Sequence, residues 1–129
     1  MIRAAIALML FTGLFSCADE TLTGYGAADT RWVLSEIDGT AFTATASIEF
    51  PEEGAIQGPA TCNSFQGQQI VPYPWFKAEN IAVTRRACPD LSAETMFLEA
   101  LQAMPLAEVA GNTLILSNES GRKMVFLAR

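Results

Sequence analysis

Turn-forming residues divide the chain after Arg31 into short segments, and this division is the feature that most restricts its fold. Apolar and β-branched residues fill the segments, while pairs such as Asp38-Gly39 and Gly111-Asn112 separate them. Short apolar segments bounded by such pairs are typical of antiparallel strands joined by tight turns. The sequence predicts strands near 32–37, 46–50, 55–58, 64–71, 76–84, 106–110, 113–117 and 123–127.

One later segment instead has the spacing of a helix. Apolar residues recur within 92–104 at three- and four-residue steps, namely Phe97, Leu98, Leu101 and Met104. This spacing places them on one face, which we expect to pack into a core, and Pro105 prevents the helix from continuing. We therefore predict a mainly β (α+β) domain, in which an antiparallel sheet curls into a small barrel and one helix lies between the later strands.

The first residues have the pattern of an export signal. Arg3 precedes an uncharged apolar run, 4–14, which is too short to span a bilayer as a helix. The run ends in Leu14-Phe15-Ser16-Cys17, which resembles the lipobox of bacterial lipoproteins and predicts cleavage before Cys17 and lipid attachment to its sulfur. The alternative is an ordinary secretory signal, which would leave Cys17 as a third, unpaired thiol.

These features predict three parts of the chain. Residues 1–16 form the signal peptide, residues 17–29 the lipidated cysteine with a flexible tether, and residues 30–129 the folded domain. The residue after Cys17 is Ala18 and not the aspartate that retains some lipoproteins in the inner membrane. We expect a lipid-anchored protein of the bacterial cell envelope, at the outer membrane and facing the periplasm.

Charge and the missing histidine exclude several function classes. All 14 acidic residues follow Cys17, whereas Arg3, one of the 8 basic residues, would be removed, leaving 7 and a formal charge of −7. Such a chain does not suit nucleic acid, whose phosphates require clustered Lys and Arg. The chain has no histidine, which removes imidazole acid–base chemistry and histidine-ligated metal sites. We expect no cofactor, no metal and no enzymatic activity.

Four motifs carry a resemblance to a known family. They are Trp32-Val33-Leu34 with Asp38-Gly39, the segment 56–67 (IQGPATCNSFQG), the segment 84–89 (TRRACP), and Glu94-x-x-Phe97-Leu98-x-x-Leu101. In order and spacing they resemble the META domain of HslJ-type heat-shock lipoproteins. The resemblance implies a compact domain of lipocalin-like topology found in envelope and stress-response proteins. It implies no settled enzymatic activity. The sequence departs from the family pattern at Thr61, where the family usually has glycine.

Cys62 and Cys88 form a pair with three interpretations. In an exported chain, two cysteines 26 positions apart most simply form a structural disulfide. They could instead be a reactive thiol pair, because Arg85 and Arg86 lie close to Cys88 in sequence and would favour its thiolate. The third interpretation is two reduced, buried thiols that are too far apart to bridge.

The segment around Asn63 is the candidate ligand or partner loop. Asn63 tolerates the backbone angles of a tight turn, and Gly58 and Gly67 permit close backbone approach. This favours a structural role, whereas the functional alternative has the loop bind an anionic group with Arg85 and Arg86. The sequence as a whole leaves three functions open. The leading one is a non-enzymatic envelope module that supports stress tolerance through an envelope protein partner or envelope stabilisation. The others are a carrier or sensor of a small apolar or anionic ligand in the barrel mouth, and thiol-based redox activity.

Overall fold

The structure is a computed structural model that describes residues 18–129. The predicted signal peptide and the lipidation site at Cys17 lie outside these residues. Within them the chain forms nine strands, one α-helix and a short 3-10 helix, Leu22–Tyr25. The strands are β1 (Trp32–Ile37), β2 (Thr40–Ala41), β3 (Ser47–Ile48), β4 (Gly54–Pro59), β5 (Ser64–Gln69), β6 (Glu79–Val83), β7 (Leu106–Ala110), β8 (Thr113–Ser117) and β9 (Lys123–Ala128), and the helix α1 is Leu91–Gln102.

The strands form two antiparallel sheets. The larger has the order β2-β1-β9-β8-β7, with β3 also paired to β1, and the smaller has the order β4-β5-β6. Single bridges connect Glu49 with Gln57 and Trp75 with Leu106. The mainly β fold with one helix inserted before the last three strands is confirmed. The barrel is not confirmed, because the strands are divided between two sheets and neither closes on itself.

The turn at Asp38-Gly39 shows how local sequence determines the strand pairing. Asp38 and Gly39 have φ values of 53° and 80°, and Ile37 pairs with Thr40 across them. Two consecutive positive φ angles match the type I′ turn, whose twist suits a hairpin. The turn also brings Thr40–Ala41 beside β1 as β2, a strand that the sequence did not predict because two residues are too short to show alternation.

One apolar core joins the two sheets and the helix. The helix contributes Phe97, Leu101 and the following Met104, all buried, as the spacing predicted. The ring of Phe65 on β5 meets that of Phe97 edge-on, with centroids 5.7 Å apart, and so connects the smaller sheet to α1. The helix ends at Gln102, before its predicted end, because the amide of Ala103 closes a tighter turn onto the carbonyl of Ala100.

The segment predicted as a flexible tether is folded from Thr21 onwards, so this prediction was wrong for 21–29. Leu22 and Ala27 are completely buried in the core, and the indole nitrogen of Trp32 donates a hydrogen bond of 3.1 Å to the carbonyl of Ala27. Two isolated apolar residues in a polar, glycine-containing segment show no periodicity, so the sequence pattern could not reveal them. Only the residues before Glu20 are left to act as a tether, because the carbonyl of Glu20 accepts a hydrogen bond from the amide of Tyr73.

Candidate functional site

The candidate loop is the turn between β4 and β5. The amide of Ala60 donates a hydrogen bond of 2.7 Å to the carbonyl of Asn63, which closes the turn. Cys62, next to Asn63, is joined by a disulfide to Cys88, with 6.1 Å between their Cα atoms. This Cα separation lies within the range that disulfides require. The turn is therefore bound covalently to the segment that precedes α1.

The side chain of Asn63 is a structural hub and not a free binding group. It is 6% exposed, and its Oδ1 accepts hydrogen bonds from the amide of Arg86 at 2.6 Å and the hydroxyl of Thr84 at 3.1 Å. Its Nδ2 donates to the carbonyl of Arg86 at 3.2 Å and to Oε2 of Glu94 at 2.8 Å. All the hydrogen-bonding capacity of the side-chain amide is thus used inside the protein.

Glu94 is the buried charged residue of the site, and its role was not predicted from the sequence. It lies in the first turn of α1, is 4% exposed, and its Oε1 accepts a 2.7 Å hydrogen bond from the amide of Asn63. Both carboxylate oxygens therefore have a donor, which offsets the cost of burying the group. The Glu94-x-x-Phe97 spacing did contain a signal for this burial. A residue three positions before Phe97 lies on the same face of the helix, which is the buried one.

Arg85 and Arg86 extend from the segment that Asn63 holds. Arg86 is held through its backbone, while both side chains are exposed. Among residues 18–129, the ion pairs are Arg31–Glu49, Lys77–Glu79 and Arg122–Asp38, and neither Arg85 nor Arg86 takes part. Their guanidinium groups are therefore available to an anion from solvent.

A groove of about 550 Å³ runs between this segment and α1. Its walls are mostly apolar, with the two arginines and the Asn63–Glu94 pair among them: Asn63, Ile81, Val83, Thr84, Arg85, Arg86, Ala87, Leu91, Glu94 and Leu98. The structure thus brings together all three residues of the predicted loop, but the groove lies between helix and loop and not in the mouth of a barrel. An apolar surface beside two cations suits an amphipathic anion.

The two glycines in the motif permit close packing, as the sequence indicated. A side chain at Gly58 would collide with the backbone of Ser47, and one at Gly67 would collide with the side chain of Ile81. Gly58 therefore lets β4 approach β3, and Gly67 lets β5 approach β6. Both contacts position the strands on either side of the Asn63 turn.

Thr61 shows the effect of the departure from the family pattern. Its φ is +111°, a conformation that favours glycine, and it stands where the family usually has glycine. Its hydroxyl is the one buried side-chain oxygen or nitrogen without a hydrogen-bond partner in the part of the chain that the structure describes. The turn thus keeps the backbone geometry of glycine with a residue that is strained in it.

Asp38, which lies away from this turn, has a shifted pKa. The amide of Lys123 donates to Oδ1 of Asp38 at 3.0 Å, and the guanidinium of Arg122 donates to Oδ2 at 3.1 Å. The hydrogen bond from the Lys123 amide, and after it the interaction with Arg122, lower the pKa of Asp38 below its ordinary value. This carboxylate fastens the turn after β1 to β9 and is structural.

Comparison with known proteins identifies the family. The model of the META domain matches residues 21–129. The chain belongs to the META domain family. The match begins at Thr21, the first buried residue of the described part of the chain, and includes residues 21–29 of the segment predicted as the tether. No curated protein matches the chain.

Two solved structures share the fold of this META domain. One, determined by NMR, is a protein from Burkholderia xenovorans, with a TM-score of 0.67, 20% identity, and coverage of 100% of this chain and 99% of that one. The other is the crystal structure of a DUF4847 family protein from Bacteroides vulgatus, with a TM-score of 0.64, 14% identity, and coverage of 81% of this chain and 96% of that one. At these identities the likeness concerns the fold alone.

Two features are absent from residues 18–129. These residues contain no group of three or more acidic, cysteine or histidine side chains arranged to hold a metal ion. No helix among them combines the length and the hydropathy needed to cross a bilayer.

Proposed function

We propose that this META domain is a non-enzymatic envelope module, anchored by lipid on Cys17 and supporting stress tolerance through protein contacts or envelope stabilisation. The observation that carries the proposal is the lipobox-like Leu14-Phe15-Ser16-Cys17, which stands directly before the family match at residues 21–129. The proposed location is the outer membrane, facing the periplasm.

The Cys62–Cys88 disulfide supports an exported location. Disulfides persist in oxidising compartments such as the periplasm and are rare in the cytosol. The bond also holds the turn whose Asn63 side chain is used entirely for internal hydrogen bonds. This turn therefore serves to build the domain, which favours a binding or scaffolding role over catalysis by these residues.

The experiment is the intact mass of the full-length protein extracted from a bacterial membrane. We expect a mass that fits cleavage before Cys17 plus acyl chains, and two alkylated cysteines that appear only after reduction. A Cys17→Ser variant serves as control and should lack the acyl mass. A wild-type protein recovered without lipid would contradict the anchoring.

The groove supports a second candidate, a carrier or sensor of an amphipathic anion. Arg85 and Arg86 provide two unpaired cations, and Leu91 and Leu98 provide apolar walls. In this arrangement the arginines bind the anionic group and the leucines contact the apolar part. Burial of an apolar tail together with a few directed polar contacts is the usual basis of small-molecule binding.

Titration of the purified protein with dodecanoate tests the second candidate. We expect saturable binding that weakens at least tenfold in the Arg85→Ala/Arg86→Ala variant. The Lys123→Ala/Arg129→Ala variant removes the same charge from exposed positions outside the groove and should bind as the wild type does. Equal affinity in all three proteins would contradict a ligand site in the groove. Thiol-based redox activity is a lesser alternative, which replacement of both Cys62 and Cys88 by serine tests.

A further inference from the structure

Three aromatic side chains, two of them exposed and the third, Tyr73, partly buried, form a surface beside the first described residues of the chain. Tyr25 is the last residue of the 3-10 helix, while Tyr73 and Trp75 lie between β5 and β6. Tyr25 is 51% exposed and Trp75 is 56% exposed. We call Tyr25, Tyr73 and Trp75 the aromatic surface. The exposure of Trp75 distinguishes it from the other tryptophan, Trp32, which is 1% exposed in the core.

The aromatic surface is held firmly against the larger sheet. The rings of Tyr25 and Tyr73 stack with their centroids 4.7 Å apart, and the amide of Val109 on β7 donates a hydrogen bond to the hydroxyl of Tyr73 at 3.2 Å. Trp75 forms a bridge with Leu106, also on β7. The three aromatic residues are therefore fixed next to one edge strand.

Beside Trp75 the surface continues as an open, largely apolar hollow. Its volume is about 430 Å³, and Val71, Pro72, Met104 and Pro105 contribute to its walls. Ile70, in the same connection between β5 and β6, is also exposed. An exposed apolar area of this kind usually marks a place where another surface binds.

The position of the chain's N-terminal part indicates which surface that is. The amide of Tyr73 donates a 2.7 Å hydrogen bond to the carbonyl of Glu20, so the backbone at Glu20 lies against the aromatic surface. Cys17 precedes Glu20 by three residues, which span at most about 11 Å when fully extended. A lipid on Cys17 would therefore hold a bilayer next to Tyr73.

We propose that the aromatic surface of Tyr25, Tyr73 and Trp75 rests in the headgroup region of the bilayer that holds the Cys17 lipid. The inference depends on the proposed lipidation. Tyr and Trp suit this region because each has an apolar ring and a polar group that stays hydrated. The domain has a net negative charge, which disfavours anionic lipid, so the matching bilayer is zwitterionic.

The two tryptophans make a direct experiment feasible. The full-length lipidated protein is reconstituted into phosphatidylcholine vesicles with and without bromine atoms on the acyl chains, which quench nearby tryptophan. Trp32 is buried in the core, so quenching reports on Trp75. The Trp75→Phe variant gives the signal of Trp32 alone.

A matched control places the reporter at the far edge of the same sheet. Ala41 is exposed on β2, four strand spacings or about 19 Å from β7. The Ala41→Trp/Trp75→Phe variant therefore has a surface tryptophan that should face water. We expect brominated lipid to quench Trp75 at least twofold more than the surface tryptophan of this control variant, and soluble acrylamide to quench Trp75 less.

The outcomes separate the inference from the proposed function. Acyl mass on Cys17 with preferential lipid quenching of Trp75 supports both. Acyl mass with equal or absent lipid quenching overturns the membrane contact and leaves the anchor. Protection of Trp75 from acrylamide without lipid quenching overturns it in favour of a protein or a second copy on this surface. Absence of acyl mass overturns the anchor and, with it, the membrane contact.

Discussion

Asn63 and Glu94, 31 residues apart in the chain, are joined by two hydrogen bonds that give each carboxylate oxygen of Glu94 a donor. The pair connects the turn between β4 and β5 to the first turn of α1, and the Cys62–Cys88 disulfide lies beside it. The Cys62-Asn63 motif therefore connects the smaller sheet to the helix and to the segment before it.

The Asn63→Ala variant should be strongly destabilised. It removes the side chain that donates to Glu94 and that also binds Thr84 and both backbone polar groups of Arg86. Leaving buried polar partners unpaired costs about 1 to 3 kcal/mol for each, and more for a charged one, so we expect a loss of about 3 to 5 kcal/mol. Urea denaturation measures the change. The neighbouring exposed Ser64→Ala is the control and should change the free energy of unfolding by less than about 0.5 kcal/mol.

The disulfide should stabilise the fold without providing a reaction. Replacing both Cys62 and Cys88 by serine removes a cross-link between residues 26 apart in the sequence. The chain-entropy model gives a loss of about 3 to 4 kcal/mol in the free energy of unfolding. Reduction of the wild-type protein should lower its stability comparably and leave that of the double variant unchanged. A variant that retains wild-type stability but loses a measured thiol-exchange rate would instead support the redox alternative.

Thr61→Gly is expected to stabilise the protein. Glycine adopts the φ of +111° without strain and removes the buried hydroxyl that lacks a partner. Relief of the backbone strain contributes about 1 to 3 kcal/mol, whereas the greater flexibility of the unfolded glycine chain costs about 0.5 to 1 kcal/mol. We therefore expect the free energy of unfolding to rise by about 1 kcal/mol. Thr61→Ala removes the hydroxyl but keeps the strain and should gain less. Thermal denaturation compares the three proteins, and a less stable glycine variant would contradict the interpretation.

Leu22→Ala tests whether the segment before β1 belongs to the domain. Leu22 is completely buried, and truncating a buried leucine costs about 2 to 5 kcal/mol. Urea denaturation should show this loss, whereas Thr23→Ala, at a partly exposed neighbour, should have little effect. If both variants were as stable as the wild type, the segment would be the flexible tether that the sequence suggested.

Asp38 should make stability depend on acid pH. Because its folded pKa is lowered, the stabilisation is fully present above the pKa of the unfolded chain and is lost as pH falls through the folded value. Asp38→Asn keeps an acceptor and tolerates the positive φ, but it removes the charge. The wild type should therefore be more stable than Asp38→Asn at pH 7, and the difference should shrink at an acid pH below the ordinary aspartate pKa of about 3.9. Urea midpoints at both pH values measure this, and a constant difference would contradict it.

The strands were predictable where local chemistry determines them. Gly111-Asn112 predicted the hairpin between β7 and β8, and Asp38-Gly39 predicted the end of β1. Positive φ angles at Asp38, Gly39 and Gly111 favour the tight turns at these places. The predicted strand at 76–84 begins later, at Glu79, because the amide of Phe76 binds the carbonyl of Pro105 and not a neighbouring strand. That partner is distant in the chain, so no local pattern could indicate it.

The sequence predicted three residues of the candidate site but not how they are arranged. The sequence grouped Asn63, Arg85 and Arg86, and the structure places all three around one groove. It could not assign Glu94 to the pair with Asn63, because a glutamate in the first turn of a helix is usually exposed and favoured there by the helix dipole. The role of Glu94 depends on a turn that lies 31 residues away.

Neighbouring residues and motif spacing were enough to predict the strand and helix types, the turns and the family. They were not enough to predict that the strands divide into two sheets, that Leu22 completes the core, or that Glu20 lies against Tyr73. Each of these three features depends on contacts between distant segments. Such contacts form where apolar area can be buried and where backbone groups find partners, and neither condition is visible in a short stretch of sequence.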